Sequence, residues 1–575
     1  MKKTVPFLIV TLLIVSLWGT ESKAVQNYDQ DLLELRSQLS TLNNELNQLK
    51  REQSAVAFMA EQLRINGYSR VTLKKLRIDG AGKDAGLDFL GRPLWYDPVE
   101  NKAQTAGSKS NQIMKMSLVG KVVPQIEVGT DLVATLTWAG SSSFRTENVA
   151  IRANLNQLSM NVGTYWAHLT PLTLYYAQSA PQYESPLFSV QRTDNDLWQN
   201  IVGSNRKLEG LKGEYAIEDL KLTGLVARVS SDPADRFLKA AGLNLAPHSA
   251  FNLGLNWLQL TDEPAPLAQP RLASELLGVT GLLKIRPHVI FKSEYVAGDF
   301  DNDVNSGLVN IRDAAIVTEL QWSSGKLNGQ VQKIKIGPSY YAPTAQSRDH
   351  TLKDLSVFGS SIATTATDQS MTEALNEVFP YGLATPNRSG SRLKLDYPFA
   401  DRASLAFELA RMSEIRPVNE LDKLTAKIDV LRKFTNYSLG FKADLASWLK
   451  RIKQPLVISG QITRAKTTRP SAVNPETSAA LHEISIENSL FDLAVNYQLR
   501  PNYQLLVGMK TDYKVGHSGK AFVDTRQADL RAGLRLQISD QTDTLISYGI
   551  TNFTDADASN NFKGDSADIV FRTFF

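Results

Sequence analysis

The sequence predicts an all-β transmembrane antiparallel barrel of about 18 strands, within a range of 16 to 22, preceded by a short α-helical coiled coil. Three observations lead to this fold class. The chain opens with a secretory signal, continues with a heptad repeat of leucines, and then alternates apolar and polar residues over long strands. The predicted domains are therefore residues 1–24, 25–64 and 65–575.

The first 24 residues are predicted to be a cleaved signal peptide. Lys2 and Lys3 precede an apolar run from Val5 to Trp18, and the small residues Ser22 and Ala24 occupy positions −3 and −1 of a cleavage site. A membrane anchor is the alternative, but a run of about 14 apolar residues is too short to span a bilayer. Secretion of a chain without cysteine is typical of a bacterial envelope protein.

Residues 25–64 are predicted to form a periplasmic coiled-coil helix, because their apolar residues recur at alternating spacings of four and three. Positions a and d carry the expected oligomerisation residues Leu32, Leu35, Leu39, Leu42, Leu46 and Leu49. The pairs Asp31–Arg36 and Glu45–Lys50 join positions g and e with opposite charges, as parallel helices require. An amphipathic helix lying on its own domain is the alternative. The narrow leucine stripe favours self-association but leaves the number of helices open.

Beyond residue 64 the helical period is replaced by a period of two. Between Phe491 and Leu499 every second residue is apolar, and the residues between them are polar or small. Pro501-Asn502 then forms a short turn before a second alternating segment begins at Tyr503. Such segments run about 10–14 residues, whereas strands of soluble sheets have a mode of about 5–6 and a tilted membrane strand needs about 9–11. Strand length therefore favours a membrane barrel over a soluble sandwich.

The strand count stays open because residues 249–300 and 420–465 do not parse into alternating segments. Single-chain bacterial barrels have an even number of strands, which leads to the expectation of about 18. Short turns such as Val123-Pro124 alternate with long segments rich in Gly, Ser, Thr, Asn and Pro, namely 78–111, 167–205, 338–388 and 466–483. Segment 338–388 is long enough to fold into the lumen as a constriction, or to form a surface lid or disordered loop.

The last segment carries a candidate assembly signal, because Phe571 and Phe575 share one face with apolar residues at every second position. This pattern resembles the terminal-strand signal of Gram-negative outer-membrane proteins. The resemblance implies recognition by the barrel-assembly machinery, contact with outer-membrane lipid and localisation in the bacterial cell outer membrane. A chance edge strand ending in phenylalanine is the alternative. Aromatic residues near other strand ends, such as Tyr165 and Tyr340, are consistent with interfacial girdles.

The whole layout is similar to that of porins with an N-terminal periplasmic coiled coil, the DcaP-like porins. The resemblance covers the full chain and rests on architecture, without a diagnostic motif. It implies a homotrimeric, water-filled channel for the passive diffusion of small hydrophilic, often anionic, solutes. The predicted barrel is larger than that of the usual member, which leaves the strand number and the solute open.

Composition and motifs exclude several classes of protein and site. The mean hydropathy of -0.22 is too low for a polytopic helical membrane protein. The absence of cysteine excludes disulfides and cysteine-ligated metals, and no two of the six histidines have helical metal-binding spacing. The net charge of +4 falls to about +2 once three lysines and one glutamate leave with the signal peptide, so charge indicates no nucleic-acid partner. Because no Walker or Gly-x-Ser-x-Gly motif occurs, we expect no enzyme, cofactor or metal.

The expected pore-lining residues are charged groups on the polar faces of the last strands: Arg500, Lys510, Asp512, Lys514, Asp529, Arg531, Arg535 and Arg572. Basic and acidic groups facing each other across a wet lumen would select solutes by charge. Guanidinium groups bind carboxylates and phosphates in bidentate fashion, so the arginines are the strongest candidates. Cross-strand salt bridges that stiffen the barrel wall are an equally good interpretation.

Two other functions fit the same layout. The barrel could anchor the coiled coil as a structural tether between outer membrane and cell wall, or could be the sheath of a porin–cytochrome conduit. A tether predicts wall-binding sequence beyond the coiled coil, and none is recognisable. A conduit predicts a multihaem partner, and the chain has no Cys-x-x-Cys-His of its own.

Overall fold

The computed structural model describes residues 63–81, 96–97, 102–103, 107–137, 142–174, 187, 207–230, 236–262, 273–301, 310–340, 342, 344–345, 383–400, 402–416, 430–449, 452–473, 480–481, 483–518, 521–556 and 558–575. The chain divides into two units, one of residues 1–64 with 120–122 and one of residues 65–119 with 123–575. The first unit lies almost wholly outside the described residues, and so do the predicted signal peptide and the six leucines of the coiled coil. The second unit is a β-barrel.

The described residues form 26 strands. In chain order they are β1 Leu63–Asp79, β2 Tyr96–Asp97, β3 Lys102–Ala103, β4 Gly107–Val123, β5 Ile126–Thr137, β6 Ser142–Leu155, β7 Leu158–Trp166, β8 Lys207–Ile217, β9 Leu220–Ser230, β10 Arg236–His248, β11 Phe251–Asp262, β12 Ala273–Arg286, β13 Val289–Asp301, β14 Asn310–Ser324, β15 Leu327–Ile336, β16 Arg388–Ala400, β17 Ala403–Ser413, β18 Lys433–Asp444, β19 Leu456–Arg469, β20 Ala472–Val473, β21 Ala480–Leu481, β22 Ile484–Arg500, β23 Tyr503–Ser518, β24 Ala521–Ser539, β25 Thr542–Thr554 and β26 Phe562–Phe574. Two short 3-10 turns cover Leu445–Ser447 and Ala558–Asn560. Within these ranges no helix has the length and apolar character needed to cross a membrane.

Twenty-two of the strands form one antiparallel sheet that closes on itself. Each barrel strand pairs with the next one along the chain, while β2–β3 and β20–β21 form separate two-stranded ribbons. Strand β1 pairs with β26, with Tyr68 opposite Phe574 and Asp79 opposite Lys563. Gly67 and Phe575 exchange two backbone hydrogen bonds of 2.8 and 2.9 Å at this seam. The predicted antiparallel barrel is confirmed, but the expected count of about 18 strands is wrong.

The undercount has a physical cause in the first of the two regions that do not parse. Residues 249–300 contain three strands, β11 to β13, and residues 420–465 contain β18 and most of β19. In β12 the neighbours Leu276 and Leu277 are both apolar, although Leu276 is fully buried inside the barrel and Leu277 is 57% exposed on its outer face. The inner face of β11 to β13 is covered by other parts of the chain, so both faces of these three strands are apolar and the period of two disappears.

The two ends of the barrel differ in their connections. At one end, the turn end, strands are joined mostly by two residues, for example 156–157, 218–219 and 501–502. The first residue of β1 and the last of β26 lie at this same end, because the number of strands is even. At the other end, the loop end, the longest connections are residues 167–206 and 337–387. The barrel therefore has short turns on one side and long loops on the other.

The outer face of the barrel is a belt of exposed apolar side chains. Leu277, Ile285, Leu530 and Tyr548 are each at least half exposed, and every long strand contributes similar residues. Near the turn end this belt includes the aromatic residues Phe251, Tyr397, Phe399, Trp448 and Tyr503. In water, an apolar surface of this extent would drive association.

Two of the aromatic residues expected in a girdle lie inside the barrel instead. Tyr165 is 6% exposed and its hydroxyl donates to the carbonyls of Leu211 and Val226, each at 3.1 Å. Tyr340 is 1% exposed and belongs to the same apolar cluster. Aromatic residues at strand ends therefore occur on both the inner and the outer face of this barrel.

Candidate functional site

A segment of the connection between β7 and β8 lies within the barrel. This inward segment, Ala167–Leu174, buries Leu172 and Leu174 at 0% and 1% exposure. They join a cluster of side chains that point inward from the loop-end halves of strands β8 to β18, among them Leu208, Leu238, Leu258, Leu276, Val296 and Ile334. The wall formed by these strands is therefore apolar near the loop end and is covered by the inward segment.

Polar groups hold the inward segment in one conformation. The backbone N–H of Leu172 donates to Oε1 of Glu294 at 3.0 Å, and Glu294 is buried in β13. The hydroxyls of Thr170 and Thr173 lie 2.5 Å apart, and Leu169 N–H donates to the carbonyl of Leu174 at 2.8 Å. A buried carboxylate needs such donors, so the segment and the strand satisfy each other.

A second segment, Gly337–Ala345, starts the connection between β15 and β16 and packs on the first. The Tyr340 hydroxyl donates to the carbonyl of Leu172 at 2.6 Å, and the Thr344 hydroxyl donates to that of Thr173 at 2.6 Å. The beginning of the predicted constriction 338–388 therefore lies inside the barrel, and most of the remainder falls outside the described residues. The other long connection, between β7 and β8, also enters the barrel, although the sequence analysis assigned it no such role.

One more residue of the β7–β8 connection reaches the opposite wall. Leu187 is fully buried among Leu506, Leu545 and Val570. These three side chains point inward from the turn-end halves of β23, β25 and β26. The connection thus contacts the barrel wall at two diagonal positions, one near the loop end and one near the turn end.

The expected pore-lining residues mostly share the inner face of the last strands. Asp529, Arg531 and Arg535 alternate with the exposed, outward residues Leu530 and Ile538 along β24. In the same way, the inner faces of β23 and β26 carry Lys510, Asp512, Lys514 and Arg572. Arg500 is exposed at the turn between β22 and β23.

The arginines nearest the turn end converge on one carboxylate. Arg572 donates to Asp543 through Nε at 2.9 Å and Nη2 at 2.7 Å, and Arg535 donates through Nε at 2.7 Å. Asp543 is 4% exposed, so its charge is offset by the two guanidinium groups rather than by water. These two arginines brace the wall between β24, β25 and β26.

A second ion pair spans three strands. Arg531 in β24 reaches across β25 to Asp568 in β26, with 2.7 Å between Nη1 and Oδ2. The middle strand, β25, has Gly549 where the Arg531 side chain crosses it. A Cβ at this position would lie 2.7 Å from Cγ of Arg531, so the absence of a side chain leaves room for the crossing. Nearer the loop end, the Thr551 hydroxyl donates to Oδ1 of Asp529 at 2.5 Å, and Asp529 itself is partly exposed.

A polar recess that the sequence analysis missed lies on the opposite wall, in the middle and turn-end parts of β13 to β17. The Glu319 carboxylate accepts from the amides of Gln321, Gln330 and Gln332 at 2.5, 2.6 and 2.6 Å, and lies 3.4 Å from Lys292 Nζ. Beside it, Arg392 pairs with Glu408 at 2.7 Å, and Lys394 lies 3.6 Å from the same carboxylate. The recess therefore carries both signs of charge. Glutamine residues do not by themselves indicate a functional site in a sequence. The three glutamines lie around Glu319 only because of the register between β14 and β15.

Within the described ranges, no group of three or more His, Asp or Glu side chains is arranged to hold a metal ion. The charged groups of the interior are arranged as pairs and small networks along the wall.

No protein-family model matches the chain, and no curated protein sequence matches it. Three solved structures resemble it over 90% of its length and 99% of theirs: OccK5 (OpdH) and OpdL of Pseudomonas aeruginosa and a BenF-like porin of Pseudomonas fluorescens Pf-5. Their sequence identities are 9%, 10% and 8%, with TM-scores of 0.34, 0.35 and 0.35. Likenesses of this strength carry no weight for function, and the architecture rests on the chain's own strand pairing.

Proposed function

We propose that the chain is an outer-membrane porin, a water-filled channel for the passive diffusion of small hydrophilic solutes. The observation that carries this proposal is the inversion of polarity across the barrel wall. Exposed leucine, isoleucine, valine and aromatic side chains cover the outside, whereas much of the inner face carries ion pairs and amides. A soluble barrel has the opposite arrangement, because its outer face meets water.

The asymmetry of the two ends supports an orientation in the membrane. Bacterial outer-membrane barrels have short periplasmic turns and long extracellular loops. The turn end is accordingly assigned to the periplasm and the loop end to the cell exterior. The predicted coiled coil, which precedes β1, is then periplasmic.

The solute route is inferred to run diagonally through the barrel. The β7–β8 connection contacts the wall near the loop end at β8–β18 and near the turn end at β23–β26. Two polar regions remain, one at the loop-end halves of β22–β24 with Lys510, Asp512 and Lys514, and one at the recess around Glu319 and Lys394. Both regions mix positive and negative groups, which supports passage of small polar solutes over selection of one sign.

Single-channel recording tests the proposed function. Purified, folded protein in planar bilayers is expected to give stepwise, ohmic conductance, and the pore-lining cations and anions should make the current only weakly selective for charge. A folded preparation without any ion-permeable state would contradict the porin proposal. Such a result would favour the structural anchor or the conduit sheath, although a sheath has no need of chain segments packed inside its barrel.

We further infer that the protein is a homotrimer held by the predicted coiled coil and inserted by the barrel-assembly machinery. Deleting residues 28–56 is expected to leave the conductance per pore intact and to weaken the trimer, because that segment holds all six leucines at positions a and d. Trimer stability is measured from the temperature at which the oligomer dissociates in detergent. An unchanged dissociation temperature would contradict the role of the coiled coil.

A further inference from the structure

The outer face of strands β15 to β19 carries a cluster of positive charges near the loop end. Over the described residues of these strands, the outward positions hold no Asp or Glu and six cations: Lys333, Lys335, Arg411, Lys433, Arg464 and Lys466. All six are exposed. The inner faces of the same strands differ, since Arg392 and Lys394 there lie beside Glu408.

Strand register brings these cations into two adjacent rows. One row runs across the five strands through Lys335, Ser389, Ser413, Lys433 and Thr468. The row below it runs through Lys333, Ser391, Arg411, Thr435 and Lys466. Neighbouring strands lie about 4.8 Å apart, so cations two strands apart in a row are separated by roughly 10 Å with a hydroxyl side chain between them. We call the five cations of these rows the basic patch.

The boundaries of the basic patch are chemically distinct. Arg464, one step further from the loop end, is engaged by the Glu487 carboxylate and donates to the Tyr437 hydroxyl at 3.3 Å. Below it lies the apolar belt, with Leu439 and Ile462 each 45% exposed. The basic patch therefore sits between the apolar belt and the extracellular loops, at the height where a lipid exposes its headgroup in the proposed orientation.

We propose that the basic patch binds the phosphate groups of an anionic glycolipid in the outer leaflet, of the lipopolysaccharide type. The inference rests on the outer-membrane placement given under the proposed function. The five cations of the basic patch share one exposed face on which the described residues of β15 to β19 place no carboxylate, and an anionic partner would offset their mutual repulsion. Lysine and arginine bind phosphate oxygens, and the serine and threonine hydroxyls between them supply further donors. Lipid chains would then lie along the apolar belt below.

The test compares binding of purified lipopolysaccharide by wild-type protein and a triple variant, Lys333→Gln with Arg411→Gln and Lys466→Gln, both in phosphatidylcholine nanodiscs. We expect the dissociation constant to rise about a hundredfold, since each Lys or Arg beside an anionic surface contributes about fivefold to binding. Raising the salt concentration should weaken wild-type binding in the same direction.

A matched control replaces three exposed, outward cations elsewhere on the barrel, Lys75→Gln, Lys239→Gln and Lys563→Gln. This control should retain wild-type binding. Equal loss in both triple variants, unchanged binding in the first, or equal binding of dephosphorylated lipopolysaccharide would each overturn the proposal. A change of oligomeric size in the patch variant without a change in lipid binding would also overturn it, since the patch would then bind a second copy of the chain.

The lipid test is separable from the test of the channel. Conductance of the patch variant in phosphatidylcholine bilayers should equal that of wild type, because none of the three residues faces the lumen. A barrel that conducts but does not bind lipopolysaccharide would contradict only the lipid proposal. A barrel that binds lipopolysaccharide without conducting would contradict only the porin proposal.

Discussion

Replacing Leu172 and Leu174 together with aspartate is expected to raise single-channel conductance several-fold. Both side chains are buried against apolar wall residues, and an unpaired carboxylate in such a place costs several kcal/mol. The inward segment would leave the wall and enlarge the wet cross-section. The measurement is conductance per pore in planar bilayers. Folding is checked in a denaturing gel, where an unheated, folded barrel migrates differently from the same protein after heating.

A milder variant and a control make this prediction specific. Tyr340→Phe removes the hydroxyl that donates to the Leu172 carbonyl and should give brief openings to the larger conductance, since one buried acceptor is left unsatisfied. Leu277→Ala alters a residue exposed on the outer face of β12 and should leave conductance unchanged. If the double aspartate variant folds and conducts like wild type, the inward segment does not obstruct the pore.

Substituting valine for Gly67 is expected to prevent closure of the barrel and to lower the yield of folded protein at least tenfold. A Cβ at Gly67 would lie 2.4 Å from the backbone oxygen of Lys115 and 2.7 Å from the ring of Phe575. The oxygen cannot withdraw without disturbing the β1–β4 pairing, and the Phe575 backbone is bonded to Gly67 itself. The readout is the fraction of membrane-inserted protein that migrates as the folded form in a denaturing gel when the sample has not been heated.

The matched control is Gly281→Val, at a strand glycine whose Cβ would have no heavy atom within 4 Å. The valine side chain would extend into open space on the barrel surface, so this variant should preserve the folded yield. Gly67→Ala should fall between the two, because a single methyl group already meets the Lys115 oxygen. A folded yield of Gly67→Val equal to that of the wild type would contradict this prediction. It would show that the β1–β26 seam accommodates a side chain, and that the close packing at Gly67 is not needed for closure.

Alternation predicts strands well where the outer face is exposed and apolar and the inner face carries polar groups. Strands β22 to β26 satisfy this condition, and the faces assigned from the sequence agree with the outward exposure of Leu505, Leu530 and Ile550. Strands β11 to β13 do not satisfy it, because the inward segment covers their inner face with apolar side chains. The missing strands therefore follow from a tertiary contact that no local pattern records.

The candidate site was predictable only in part, for a related reason. Alternation assigns a residue to a face, but it does not identify its neighbour on that face. Arg531 meets Asp568 because two registers and the gap at Gly549 bring them together, and no spacing in the sequence encodes that pair. The inward segment did leave a signal, since Leu169, Leu172 and Leu174 are unusually apolar for a long connection.

The two segments that fill the barrel have a consequence for its electrical behaviour. Ala167–Leu174 and Gly337–Ala345 contain no Asp, Glu, Lys or Arg. An elementary charge that moves through a full transmembrane potential gains about 2.3 kcal/mol per 100 mV, and a segment without fixed charge gains nothing. An applied voltage therefore does no work on these segments in either direction. Under the proposed porin function, they would form a restriction whose position does not respond to voltage.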